Sequence, residues 1–391
     1  MRRIAFTLLS LCIAGALHAA PATDAAKKLA QDAIIVDTHI DAPENLISDW
    51  NDLTGSVPKR EFDYPRAKEG GLDVPWMSIF TSAEEDQTGK AWTIANLQID
   101  AVRSLVARAP DKFALLLSPK DVDANIGKIM LPMGMENGAP IGDDLSKVQY
   151  FFDRGVRYIT LCHGEDNRIA DSSYVKTARW GGLSPFGEKV VAEMNRLGII
   201  VDVSHVSDDA ARDVLRITDV PVIASHSNLR HFTPDWQRNM PDDLAKEIAK
   251  EGGVIQLAFG TLFLDAKQSK EWTGKRAHMA EMKKAGKSAE EIEAFDKQFA
   301  KDHPAPVVHL NVMLDNIDYA VKLVGIDHVG IGSDFDGVGG ELVAELKSVK
   351  DYPALVDGLM QRGYSEADIR KILGENMLRV WRVIESRAQA K

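Results

Sequence analysis

The sequence predicts an α/β fold, a (β/α)₈ TIM barrel, and three observations predict it. Eight short, apolar, β-branched runs recur along the chain, separated by longer segments that include several with helical periodicity; repeated strand-then-helix units imply a parallel sheet. Ionisable residues gather at the carboxyl ends of those runs, which is where such barrels build their sites. The 391 residues are enough for one barrel of roughly 250 residues with additions.

Taken in chain order, the first segment precedes the fold. In "MRRIAFTLLSLCIAGALHAAPA" Arg2 and Arg3 form a positive region, Ile4 to Leu17 an apolar one, and Ala19, Ala20 and Ala22 a small-residue cleavage segment. Residues 1–22 are therefore expected to be a secretory signal peptide, with residues 23–391 as a single barrel domain. The apolar run is short for a span of about 20 residues, so no stable membrane anchor is expected after cleavage. The destination is periplasmic or secreted. Only Cys162 of the two cysteines remains in the mature chain, so an internal disulfide is excluded.

The eight expected strands are residues 33–41 ("AIIVDTHID"), 74–80, 129–137, 156–164, 198–206, 220–227, 252–260 and 328–337. Amphipathic segments such as "TIANLQIDAVRSLVARAP", "GEKVVAEMNRLG" and "DDLAKEIAKEG" stand between strands as helices. After the seventh strand, residues about 265–305 form a charged helical insertion, and residues 351–391 read as one or two closing helices starting near Tyr352 and Pro353. The 45% apolar and 27% charged composition suits a globular protein with a sizeable core. A net charge of −11 argues against a nucleic-acid partner or an anionic lipid surface, either of which needs a basic face.

The strand ends carry the chemistry. The first ends in His39 and Asp41, the third in Glu136, the fourth in His163, the fifth in His205, the sixth in His226 and the eighth in Asp334 and Asp336. Residues two apart on a strand share a face, so His39 and Asp41 project together, while Asp37 stays nearer the strand interior. So many ionisable groups at one barrel mouth cost several kcal/mol unless something compensates their charge. Imidazole and carboxylate suit Zn²⁺ and its neighbours. Two ions about 3.5–4 Å apart would use five ligands and keep open positions: His39 and Asp41 on one, His205 and His226 on the other, Glu136 bridging. Asp336, before Gly337, reads as a turn residue, Cys162 as a buried apolar one and His328 as structural. His231, His303 and His309 have no evident metal partner.

At these residues the chain resembles the membrane (renal-type) dipeptidase family of dinuclear zinc peptidases, within the amidohydrolase-like barrels. The motifs are "VDTHIDAPENL", "GMENG", "ITLCHGEDN", "VDVSHVS", "SHSNLR", "RNMPDD" and "GIDHVGIGSDFDG", and the resemblance covers residues about 32–380. It implies the same five metal ligands for two zinc ions. It further implies that His163 binds substrate and stabilises the oxyanion, that Arg238 grips the substrate carboxylate, and that Asp334 is the catalytic acid/base. Arg230 is a nearby rival that does not fit the motif. The expected activity is hydrolysis of dipeptides by a metal-bridging hydroxide, in a protein that the family suggests is a homodimer. The same centre would serve a lactam, a lactone or an N-acyl amino acid; a non-catalytic peptide-binding protein would be expected to lack a ligand or the acid/base, and this chain retains both.

Overall fold

The computed structural model describes residues 21–388; the expected signal peptide falls almost wholly outside the described residues. Ten strands run in chain order: β1 Ile35–Ile40, β2 Leu72–Phe80, β3 Phe113–Leu115, β4 Ile129–Leu131, β5 Met133–Glu136, β6 Val156–Thr160, β7 Ile200–Asp202, β8 Ile223–Ala224, β9 Val254–Leu257 and β10 Val329–Ile331. Eight of them form one parallel sheet in the order β1-β2-β5-β6-β7-β8-β9-β10. The ring meets itself where Ile40 bridges Phe335 in parallel, Asp41 N donates to Phe335 O at 2.9 Å and Asp334 N to His39 O at 3.1 Å. This is the expected barrel, and its seam runs through three of the candidate site residues, His39, Asp41 and Asp334.

The third expected strand, 129–137, is in fact two. β4 pairs with β3 in a separate two-stranded sheet, and only β5 enters the barrel. Pro132 stands between them and has no N–H for a ladder, although its carbonyl still accepts from Met77 N at 2.9 Å. Several other strands stop short of the expected runs. Asn137, His205 and Asp334 adopt φ of 77°, 67° and 66°, left-handed values that break a ladder, and the side chains of His205 and Asp334 face the cavity at the barrel mouth.

The helices follow from local sequence. Pro185–Leu197 starts from Ser184, whose side chain accepts from Gly187 N, has Pro185 at its first position, and ends at Gly198 with φ 79°. Val190, Val191, Met194 and Leu197 give it one buried face. The expected insertion is a pair of helices, Ala266–Lys284 and Ala289–Asp302. Three closing helices, Tyr352–Gln361, Glu366–Arg370 and Asn376–Arg387, occur where one or two were expected. The last places Trp381 against Trp76, with ring centroids 4.8 Å apart, in a cluster with Val36, Val74, Tyr158, Ile200 and Val254 from the strands. Among the described residues no helix is long and apolar enough to cross a membrane.

Gly134 on β5 lies directly under the Tyr158 ring: a Cβ there would sit 1.9 Å from Cζ. Gly134→Ala is expected to destabilise the protein by about 1–3 kcal/mol through overpacking, read as a lower urea midpoint at unchanged slope. Wild-type stability in this variant would show that the ring has room to move.

Candidate metal centre and substrate cavity

Six candidate residues from five strand ends converge on a seventh, Glu136. Its carboxylate is 4% exposed and lies 3.3 Å from His39 Nε2, 3.5 Å from His163 Nε2, 3.0 Å from His205 Nε2 and 3.4 Å from His226 Nε2. His39 Nε2 is also 3.5 Å from Asp41 Oδ2, while the Nε2 atoms of His205 and His226 are 2.7 Å apart. Three overlapping groups could each hold a cation: His39, Glu136 and His226; Glu136, His163 and His205; and His39, Asp41 and Asp334. Asp334 thus stands closer to the first pair than its position in the chain suggested.

The donor set fits divalent metal. His39 Nε2 and Asp41 Oδ2 are buried without a hydrogen-bond partner, which is costly unless a cation meets them. The electrostatics agree. Burial opposes a charge on His39, but Glu136 and Asp41 outweigh it and push its pKa up to about 10. Burial, with help from nearby cations, holds His205 and His226 well below the usual imidazole range, and burial raises Asp41 and Asp334. A proton on His39 is what a divalent ion would displace.

His163 keeps a quarter of its side chain exposed, at 25%, and its ring meets Phe80 edge-on with centroids 4.8 Å apart. Burial, then the cations Arg238 and Arg276 against the pull of Glu136, lower its pKa to about 4, so it is neutral near pH 7. Arg238 is buried at 3% exposure. Its Nη1 donates to Ser227 Oγ at 2.6 Å, and its Nη2 to His226 O at 2.6 Å and towards His205 Nε2 at 3.0 Å, while its Nε has no partner. It sits behind the cavity wall rather than on it. The rival Arg230 is bound bidentately by Asp208 at 2.7 and 2.8 Å, away from the cluster. Asp37 accepts from Ser333 N at 2.8 Å and from the Tyr352 hydroxyl, consistent with an interior place. Cys162 is fully buried and His328 bonds Gly253 O at 2.7 Å.

A cavity of about 370 Å³ opens above the cluster. Asp41, Glu44 and Glu341 line it, as do Tyr174, Trp236, Phe263 and Trp272. Trp272 and Lys275 come from the insertion, and sequence reasoning missed them because a polar surface helix carries no pattern pointing at a distant barrel mouth. The Tyr174 and Trp272 rings are 5.5 Å apart.

A family model described as membrane dipeptidase, peptidase family M19, matches residues 23–391. The chain belongs to this family. It is 31% identical over 352 residues to the dipeptidase aclJ of Aspergillus oryzae, covering 88% of this chain and 73% of that one. The crystal structure of the probable dipeptidase PvdM from Pseudomonas aeruginosa superposes with a TM-score of 0.82 at 29% identity, covering 93% of this chain and 98% of that chain. A metallo peptidase from Rhodobacter sphaeroides, solved with a phosphinate mimic of the dipeptide L-Ala-D-Ala, shares the fold with a TM-score of 0.74 at 24% identity, over 90% of this chain and 100% of that one. Membership in M19 makes this a chain of the metallo-dipeptidase family with a His/Glu cluster able to bind metal.

The loop carrying Asp334 is pinned from outside. Asp336, itself at φ 65°, accepts from Glu61 N at 2.9 Å and Phe62 N at 3.2 Å, and the Glu61 carboxylate accepts from Asp336 N. Burial raises the Glu61 pKa from 4.5 to about 7, against the pull of the Asp336 N–H. A raised carboxyl pKa means that the folded state holds its proton after the unfolded chain has lost it. Its contribution is therefore complete below 4.5 and is lost as pH rises to about 7. Relative to Glu61→Gln, the wild type is expected to lose on the order of 2 kcal/mol between pH 4.5 and pH 7.5, read from urea unfolding of both proteins. Parallel pH profiles would show that Glu61 does not titrate in this window.

Proposed function

We propose that this protein is an exported zinc dipeptidase that hydrolyses the single peptide bond of dipeptides. The observation that carries the reading is the convergence of four imidazole nitrogens within 3.5 Å of the buried Glu136 carboxylate, beneath a cavity of about 370 Å³ in a chain of the M19 family. His39 and Asp41 would hold one ion and His205 and His226 the other, with Glu136 shared. When bound, such a pair supplies an acidified water and Lewis-acid polarisation of the scissile carbonyl.

The chain's own residues do the rest. Asp334, buried beside Asp41 and His39, takes the proton from the attacking water and delivers it to the leaving amine. Its raised pKa suits a carboxyl group that must hold a proton part-way through a cycle. His163, neutral near pH 7, offers an N–H to the oxygen that gains charge. Arg238, buried behind the cavity wall with its Nε unpartnered, is the positive charge that draws the substrate's C-terminal carboxylate to that wall, so the cleaved bond lies one residue from the chain end. The relatives named dipeptidase, in Aspergillus oryzae and Pseudomonas aeruginosa, support the same substrate class.

Two measurements test this reading. Purified protein loaded with zinc should cleave a dipeptide panel, and Asp334→Asn should lower kcat by about 10²–10⁴-fold while metal content stays unchanged. Near-wild-type kcat in the variant would remove Asp334 from the mechanism. Separately, wild type should prefer a dipeptide to its C-terminal amide, and Arg238→Lys should reduce that preference by about 10–100-fold. An unaltered preference would assign the carboxylate to another cation, with Lys275 on the cavity wall the first to examine. Metal-loaded protein inert on every dipeptide but active on a lactam or lactone would redirect the substrate assignment.

A further inference from the structure

A metal-binding imidazole must present one ring nitrogen without its proton, and the partner of the other nitrogen decides which one that is. The candidate ligands differ in this respect. His39 Nδ1 lies 2.9 Å from the Tyr158 hydroxyl, which lies 3.1 Å from Thr38 O. A carbonyl only accepts, so the phenol proton goes to Thr38 O and His39 Nδ1–H donates to Tyr158. The lone pair of His39 then sits on Nε2, the buried atom without a partner.

His226 is held by a longer chain. Its Nδ1 is 2.8 Å from Ser225 Oγ, which is 2.6 Å from Asp202 Oδ2. Asp202 is wholly buried and also accepts from Ser204 N at 3.0 Å, Ser225 N at 2.8 Å and the Thr160 hydroxyl. A carboxylate surrounded by donors takes the Ser225 proton, so Ser225 Oγ accepts from His226 Nδ1–H. That aims the His226 Nε2 lone pair at Glu136. His205 differs from both: its Nδ1 has no partner.

We infer that Asp202 and Ser225 form a relay that positions His226, and that Tyr158 positions His39, so that each half of the metal centre has its own residue bonded to the far ring nitrogen of its histidine. Asp202 sits in the "VDVSHVS" segment and has no part in the chemistry proposed above. The His226 chain ends on the Asp202 carboxylate, whereas the His39 chain ends on the neutral carbonyl of Thr38. These are positioning residues, and the inference rests on the ligand assignment made under the proposed function.

The test is zinc titration of the full chain after chelator stripping, against a chromophoric competitor, for wild type, Ser225→Ala, Asp202→Asn and Tyr158→Phe, with His226→Ala and Asp41→Asn marking which binding step belongs to which half. Wild type should bind two ions. Ser225→Ala and Asp202→Asn should weaken the step that His226→Ala removes by about 10–100-fold and leave the other in place. Tyr158→Phe should do the reverse. A general loss of stability would weaken both steps alike, so equal weakening in all variants, or none in any, overturns the relay. If one relay variant does not fold, the other tests the same link. A wild-type chain that takes up no zinc overturns the ligand assignment itself, and the relay with it.

Discussion

A carboxylate buried at 4% exposure among imidazoles is the constraint on which the rest of the molecule turns. Removing Glu136, Asp41 and Asp334 from water together is unfavourable, and the histidines compensate only by sharing protons, as the elevated His39 shows. The proposed pair of divalent cations would answer that charge better than protons do, because each could meet several of these atoms at once. The local backbone bears the cost of assembling the group. His205 and Asp334 sit at φ of 67° and 66°, a conformation that non-glycine residues adopt at an expense of about 1–3 kcal/mol.

What makes the arrangement sustainable is that its members stand on, or just past, rigid strand ends. β1 is tied on both sides of the seam: the Thr38 hydroxyl donates to Ser225 O and Ile331 O, and Asp37 holds Ser333. The strand that presents His39 is thereby fixed against the loop that presents Asp334 and the segment that presents His226. A site whose parts come from different strands needs such cross-links, since sub-ångström errors accumulate around a ring. Tyr158 illustrates the economy of the design, because its ring packs on Gly134 while its hydroxyl reaches His39.

Much of this was legible in the chain. Apolar β-branched runs ending in polar residues identify the barrel, since both the strand and the place where it stops are local properties. The convergence of His39, Asp41, Glu136, His163, His205, His226 and Asp334 was readable from the same runs, because barrel topology brings all strand ends together. The supporting network was not. Tyr158 and His39 are 119 residues apart, and Ser225 and Asp202 are 23 apart; nothing in either neighbourhood marks the partner. Nor did sequence reveal that Trp272 and Lys275 reach the cavity, that Arg238 turns inward against His205, or that Pro132 divides one expected strand into two.

The central claim is that two divalent ions share Glu136. Crystals of the zinc-loaded protein, measured on both sides of the zinc absorption edge, test it directly through anomalous difference density. The account predicts two peaks about 3.5–4 Å apart, one beside His39 and Asp41, the other beside His205 and His226, with Glu136 between them. A single peak, or two with Glu136 touching neither, would contradict it.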